Sequence, residues 1–450
     1  RAFQPAMGSM TDRSGRYLEI LYIVSSSDRR SQYLTYDPAT GESFISVGVQ
    51  AYPLKDAFAQ MDVSQFSSFY PKDFVILENG DIMVRLSLIT SSSEVPGASL
   101  SVHREGPVKG EETDAVVIFN ELNQHYLSDF AFTDGFLLIT NKEAYLATDF
   151  RYYEMATKGA SKDFKIVTPD NRWAFINEVL ANNECKILGF EGEFVSYSMH
   201  RIMKDKLAGV ELCDIGEMVE TLRLIKSPEE IATMQRAQDI TDKAFTHILK
   251  MLNYNMTELE VACELEYFMR REGADSVAFD TIAVSGDASA LPHGTPRAVK
   301  LKKGFLTMDY GAKLDGYCSD MTRTVVIGKA DAEIKKLYNT VLSAQLAALD
   351  YLSAGADCGE ADKKARDIID AEYKGAFGHS LGHGVGLLVH ENPRLSIRSF
   401  GRSLVKGEVV TCEPGIYLFG KYGCRIEDMV AIEDNGIYNF THSTKELIEI

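Results

Sequence analysis

The sequence predicts an α+β chain in three successive parts. A small β-rich module spans about 10–105, an α/β layer spans 114–225, and a larger α+β domain spans 226–450. Three observations carry this reading. The first hundred residues are dense in β-formers and turn signals. From about Asp114, short apolar strands alternate with helical stretches. From Ser227 onward, long amphipathic helices alternate with strands, and the residues with the most evident chemistry fall outside those helices.

In the first part, Leu18–Val24, Gln32–Tyr36 and Ser43–Val49 read as strands. Asn79-Gly80 lies between the apolar runs of Asp73–Leu88 and predicts a hairpin, because both turn positions tolerate positive φ. Residues 91–97 and 105–113 read as loop and linker. The opening stretch 1–9 reads as vector-derived sequence ahead of Met10 and carries no fold argument. In the second part, Ala115–Phe119 and Lys186–Phe190 read as buried strands, Gly135–Thr140 and Glu143–Thr148 as a strand pair, and Arg172–Ala181 and Tyr197–Leu207 as helices. In the third, Ser227-Pro228-Glu229-Glu230 and Thr257-Glu-Leu-Glu260 are capping boxes that open two helices, with Gly273 suited to end the second. Two more helices are expected near 331–353 and 359–374.

Composition narrows the function. The 450 residues are 45% hydrophobic, enough for large cores, and the net charge of −18 argues against general binding to nucleic acid. No run of 18 apolar residues predicts a membrane span. Seven cysteines stand singly, with no C-x-x-C pair. They read as reduced, apolar side chains of a cytoplasmic protein rather than as disulfides or zinc ligands.

The chemistry concentrates in Asp309, Asp320, His383, Glu413 and Glu427. Each sits in its own short motif: Met-Asp-Tyr-Gly, Cys-Ser-Asp-Met-Thr-Arg-Thr, Gly-His-Gly-Val-Gly, Cys-Glu-Pro-Gly-Ile-Tyr and Arg-Ile-Glu-Asp. Four carboxylates at close range repel one another by several kcal/mol, and two divalent cations would neutralise them. Each residue has a plainer alternative. Asp309 could cap a turn with Gly311, Asp320 could be a surface turn residue, and Glu427 could pair with Arg425. The turn Leu314-Asp315-Gly316 would form a hairpin that sets Asp309 and Asp320 side by side. His379, His383 and His390 fall within twelve residues of a chain that has only nine histidines. Glycines 382, 384 and 386 leave room there for close approach.

Taken in order, these motifs resemble those of the Xaa-Pro peptidases, prolidase and aminopeptidase P, over residues 114–450. The resemblance implies a "pita-bread" catalytic domain at 226–450 behind a creatinase-type domain at 114–225. Thr148-Asp-Phe-Arg-Tyr152, Leu188-Gly-Phe-Glu-Gly192 and Leu222-Arg-Leu-Ile-Lys-Ser-Pro-Glu-Glu230 carry the latter likeness. It implies that Asp309, Asp320, His383, Glu413 and Glu427 bind two divalent metal ions. Hard oxygen ligands favour Mn²⁺ over Co²⁺ or Zn²⁺. It also implies that a metal-bridged hydroxide attacks the Xaa-Pro bond of a short proline-containing peptide, with Glu413 as general base. His293 and His390 would contact the oxyanion or the substrate. His379, Tyr417 and Arg425 would support the substrate site, with Arg425 holding a ligand carboxylate. A homodimer is expected. Two other readings compete: a methionine-aminopeptidase-like exopeptidase, which usually lacks the 114–225 domain, and a non-catalytic binding module, which would be expected to lose ligands. The β-rich module lies outside the resemblance.

Overall fold

The computed structural model describes residues 113–207 and 209–450 in full and, before them, the backbone of nine strands between Gly8 and Val102. The linker expected at 105–113 and the turn at Asn79-Gly80 lie outside the described residues, apart from Thr113. Two compact units are distinguished: residues 1–115, 184–190 and 208–215 form one, and residues 116–183, 191–207 and 216–450 the other.

The first unit is β-rich. Strands Gly8–Thr11, Tyr17–Ser25, Gln32–Asp37, Glu42–Val47 and Gln50–Pro53 pair in sequence order, each antiparallel to the next. The first of these begins inside the stretch set aside as vector-derived. A second sheet pairs Ser68–Ile76 with Ile82–Ile89, antiparallel, with Ile76 opposite Ile82. Residues 91–97, read as loop, include the short strand Glu94–Val95 on the free edge of Ile82–Ile89.

In the second unit, Phe136–Thr140 and Ala144–Ala147 form the expected antiparallel pair, and Phe164–Val167 runs parallel to the latter. Helices Arg172–Asn182 and Tyr197–Lys206 stand where the apolar spacing places them. The sequence reading has no helix at Glu121–Ser128, Phe150–Gly159 or Met218–Arg223. These are short, and the first two are fixed by side-chain caps, with Asn120 accepting from Leu122 N and Asp149 from Arg151 N.

Residues 226–450 repeat one arrangement twice: a helix pair laid on an antiparallel sheet. Helices Pro228–Met251 and Glu258–Arg271 both open with complete capping boxes. Their inner faces bury Ile240, Phe245 and Leu265 against Leu306, Met308 and Tyr310. Helices Ala332–Tyr351 and Cys358–Tyr373 bury Leu337, Val341 and Ile369 against Cys412, Val430 and Ile432. The strands Gly304–Tyr310 and Met321–Ile327 serve both layers. Leu306, Met308 and Val325 point to the first pair, while Phe305 and Val326 point to the second. This is the period-two alternation of a strand buried on both faces. Each fully buried Leu, Ile, Val or Phe is worth ~1.5–3 kcal/mol. The expected family fold is thus present: a creatinase-type α/β part followed by a pita-bread domain.

No helix among the described residues is long and apolar enough to cross a membrane. All seven cysteines are free, and all but Cys263 are buried. Cys412 and Cys424 pack in the second core, and burial pushes their thiols up, Cys424 to about 12.

Candidate metal centre

Asp309 and Asp320 are brought together by one turn. Ala312–Leu314 pairs with Tyr317–Cys318 across Asp315 (φ 48°) and Gly316 (φ 83°), a two-residue turn of the twist that suits a hairpin. The flanking strands then align Tyr310 with Met321 and Asp309 with Thr322. Asp320 therefore stands one residue beyond the partner of Tyr310. His383 lies on Gly382–Gly384, squeezed between strands. A Cβ on Gly382 would sit 2.0 Å from the Thr411 carbonyl oxygen, and one on Gly384 2.0 Å from that of Asn392. Only glycines let a histidine-bearing strand enter there. Glu413 follows the strand Val409–Cys412, where its backbone N–H donates to the Leu381 carbonyl. Glu427 sits between Tyr422–Arg425 and Asp428–Glu433, its backbone N–H donating to Thr322 O and its Oε2 accepting from Thr322 Oγ1 at 2.6 Å.

All five side chains line one cavity of about 620 Å³, together with His293, His379, His390 and Arg425. Single ligand atoms of Asp320, His383 and Glu427 lie within 4.8 Å of one another. His383 Nε2 faces Glu413 Oε1 at 3.3 Å and Asp320 Oδ2 at 3.6 Å. Burial pushes the His383 pKa down to about 3, so the ring is neutral. Its Nδ1 lies 3.1 Å from the Gly384 carbonyl, an acceptor, so Nδ1 carries the hydrogen. Nε2 therefore presents a lone pair to two carboxylates, an arrangement that a cation completes. Asp309 Oδ1 is buried without a hydrogen-bond partner among the described residues. The donor set thus fits divalent metal ions.

Electrostatics agree. Burial, then the neighbouring carboxylates, drives Asp320 and Glu427 well above the ordinary carboxylate range. Burial pushes Glu413 up to about 8, with the Arg425 guanidinium opposing it. An acid whose pKa is higher in the folded state stabilises the fold while it stays protonated. For Glu413 that contribution is whole below its ordinary 4.5, wanes between there and about 8, and is gone above. Asp320 and Glu427 shift in the same direction. Chelator-treated protein is therefore expected to melt at progressively lower temperature from about pH 5 to about pH 9, and Mn²⁺ to reverse the loss at the alkaline end. Thermal melts across that range, with EDTA and with Mn²⁺, check this. A Tm indifferent to both pH and cation would contradict it.

A directed chain of hydrogen bonds supports the centre. Arg425 Nη2 donates to Asp309 Oδ2 at 2.5 Å, Nε to Thr322 Oγ1 at 3.0 Å, and Nη1 to Tyr417 Oη at 2.7 Å. Tyr417 Oη lies 2.8 Å from His379 Nε2, and His379 Nδ1 lies 2.8 Å from the Ser380 carbonyl. Burial pushes His379 to about 4, so it is neutral: Nδ1–H donates to Ser380, and Nε2 accepts from the Tyr417 hydroxyl. Tyr417, expected to bind substrate, lies behind Arg425 and His379 and does not line the cavity. His390 stacks edge-on against His383, ring centroids 4.3 Å apart.

The sequence reading missed Arg394. It lines the same cavity, and among the described residues its guanidinium has no hydrogen-bond or ion-pair partner. The signal was present: Arg394 follows His390 by four positions in His390-Glu-Asn-Pro-Arg, and both line the cavity.

Comparison with known proteins gives a consistent picture. The profile of "Metallopeptidase family M24" matches residues 232–434, and that of "Creatinase/Prolidase N-terminal domain" residues 108–225. The uncharacterized peptidase YqhT of Bacillus subtilis is 42% identical over 340 residues, which cover 74% of this chain and 95% of the relative. The solved Xaa-Pro dipeptidase from Bacillus anthracis superposes with a TM-score of 0.73 at 41% identity, covering 75% of this chain and 95% of the other. The X-Pro aminopeptidase from Thermotoga maritima gives a TM-score of 0.72 at 35% identity, with 75% and 98% covered.

Proposed function

The chain belongs to metallopeptidase family M24 and is a metallo-exopeptidase, and from that premise we propose that it cleaves the bond before proline at the N-terminus of dipeptides and short peptides. The observation that carries the reading is one cavity lined by all five candidate metal ligands and by an arginine that has no partner among the described residues. Relatives named Xaa-Pro dipeptidase and putative Xaa-Pro aminopeptidase support the substrate class.

Asp309, Asp320, His383, Glu413 and Glu427 would hold two divalent cations, Mn²⁺ being favoured by the oxygen-rich set. Bound there, the cations supply Lewis acidity and a water acidified for attack on the peptide carbonyl. Glu413 takes the proton of that attack. Its Oε2 lies 4.0 Å from both Arg425 Nε and His379 Nδ1, which confine it. His293 and His390 border the space for the scissile carbonyl and donate to its oxygen as negative charge develops. Arg425 keeps Asp309 aimed into the cavity.

Arg394 favours a dipeptidase over an aminopeptidase acting on longer chains. A planar guanidinium without a partner among the described residues is matched to a free carboxylate, which only a dipeptide presents directly after proline. Metal-loaded protein is expected to prefer Xaa-Pro over Xaa-Pro-Yaa. Arg394→Met is expected to cut kcat/KM on Xaa-Pro by roughly a hundredfold while changing the tripeptide rate far less. Steady-state kinetics on both substrates check this. Equal losses on the two would reject the dipeptidase assignment, and no cleavage of either by the wild type would reject the Xaa-Pro reading.

A further inference from the structure

One buried ion cluster takes no part in the chemistry above. Arg223 and Lys226, in Leu222-Arg-Leu-Ile-Lys226 ahead of the long helix, both reach Glu391. Arg223 Nη2 lies 2.5 Å from Oε2 and Lys226 Nζ 2.9 Å from Oε1, with side-chain exposures of 5%, 1% and 12% for Arg223, Lys226 and Glu391. The cluster continues into the α/β part. Arg223 Nη1 donates to Asn123 Oδ1 at 2.9 Å, and Asn123 Nδ2 donates to Glu191 Oε1 at 2.7 Å. Glu191 Oε2 in turn accepts from the backbone of Phe119 and Asn120. The fit around Glu391 is tight: a Cβ on Gly386 would lie 2.1 Å from its Oε1.

Burying these charges is a poor way to gain stability, since desolvation offsets most of the attraction. Their position gives a better reason. Glu391 opens the strand Glu391–Leu395, directly after His390 and three residues before Arg394, and both of these line the cavity while Pro393 and Leu395 are buried. Fixing Glu391 therefore fixes the strand that presents both.

We propose that Arg223 and Lys226, acting through Glu391, are positioning residues that set His390 and Arg394 for the proline end of the substrate. Through Arg223 the α/β part thereby takes a share in substrate geometry without touching substrate. The role assigned to Arg394 rests on the peptidase reading above. The test uses the metal-loaded full chain carrying Glu391→Gln or Lys226→Met. The second variant keeps the Arg223–Glu391 pair and serves if the first does not fold. Kinetics are read on an Xaa-Pro dipeptide and on its C-terminal amide, with metal content measured alongside. The ratio of kcat/KM for dipeptide over amide is expected to shrink roughly tenfold, chiefly through the KM of the dipeptide, at unchanged metal content. An unchanged ratio, with both substrates slowed equally, overturns the proposal. Should the wild type cleave neither substrate, the peptidase reading fails by itself. The positioning claim is then decided by crystal structures of the variants: displaced His390 and Arg394 uphold it, and unmoved side chains overturn it.

Discussion

His383→Ala is expected to lower turnover by about a thousandfold or more and to reduce the bound metal per chain. Among the five candidate ligands His383 is the neutral one, and its geometry leaves it little other use. The Gly384 carbonyl occupies Nδ1, and Nε2 is aimed at Glu413 and Asp320 across 3.3 and 3.6 Å. Alanine would remove the lone pair and leave Asp320, Glu413 and Glu427 facing one another with one neutral donor fewer. Burial first, and their mutual repulsion after it, already raise the proton affinity of Asp320 and Glu427. Because the histidine sits among glycines whose backbone packing is independent of its ring, the fold is expected to survive. Activity and metal should therefore fall together while the far-UV spectrum stays constant. Asp309→Asn is the companion variant. It keeps the shape and the bond from Arg425 but removes the charge. Unchanged turnover in either variant would remove that residue from the metal centre.

Much of the catalytic half was legible because its signals are local. The capping boxes at Ser227 and Thr257 satisfy their own helix ends, so spacing alone reveals them, and both are complete in the structure. The Asp315-Gly316 turn was equally local. It fixes the register of Gly304–Tyr310 against Met321–Ile327 and so the meeting of Asp309 with Asp320. Helices Glu121–Ser128 and Phe150–Gly159 escaped because they lack a long apolar stripe and depend on single capping side chains.

That Arg223 is paired and Arg394 has no partner among the described residues was not legible in the sequence. Whether an arginine is paired depends on residues far away in sequence: Glu391 lies 168 positions from Arg223. The same limit applies to Tyr417. Its motif placed it near the site, but only the directed chain through Arg425 and His379 shows that it braces the cavity instead of lining it.

Arg323→Met is expected to be the most destabilising change near the centre, at about 3–5 kcal/mol. Arg323 is 1% exposed, yet all five of its N–H groups have acceptors. Nε donates to Thr444 O, Nη1 to the carbonyls of Thr322 and Glu427, and Nη2 to Asp428 Oδ1 and Ser443 O. Burial would raise the Asp428 pKa, but Arg323 and Lys445 hold it below the ordinary range. Methionine fills much of the volume and satisfies none of the acceptors. Four carbonyls and part of a carboxylate would each lose one donor in a dry interior. Lysine would not rescue it, because a single ammonium cannot span acceptors arranged for a planar fork. Two of the acceptors belong to Thr322 and Glu427, so the loss should reach the metal wall as well. Urea unfolding of metal-loaded protein should give a lower midpoint, and the concentration of cation needed to restore it should rise. A stability loss below about 1 kcal/mol would mean that the network carries little of the fold, and that Glu427 is held by Thr322 alone.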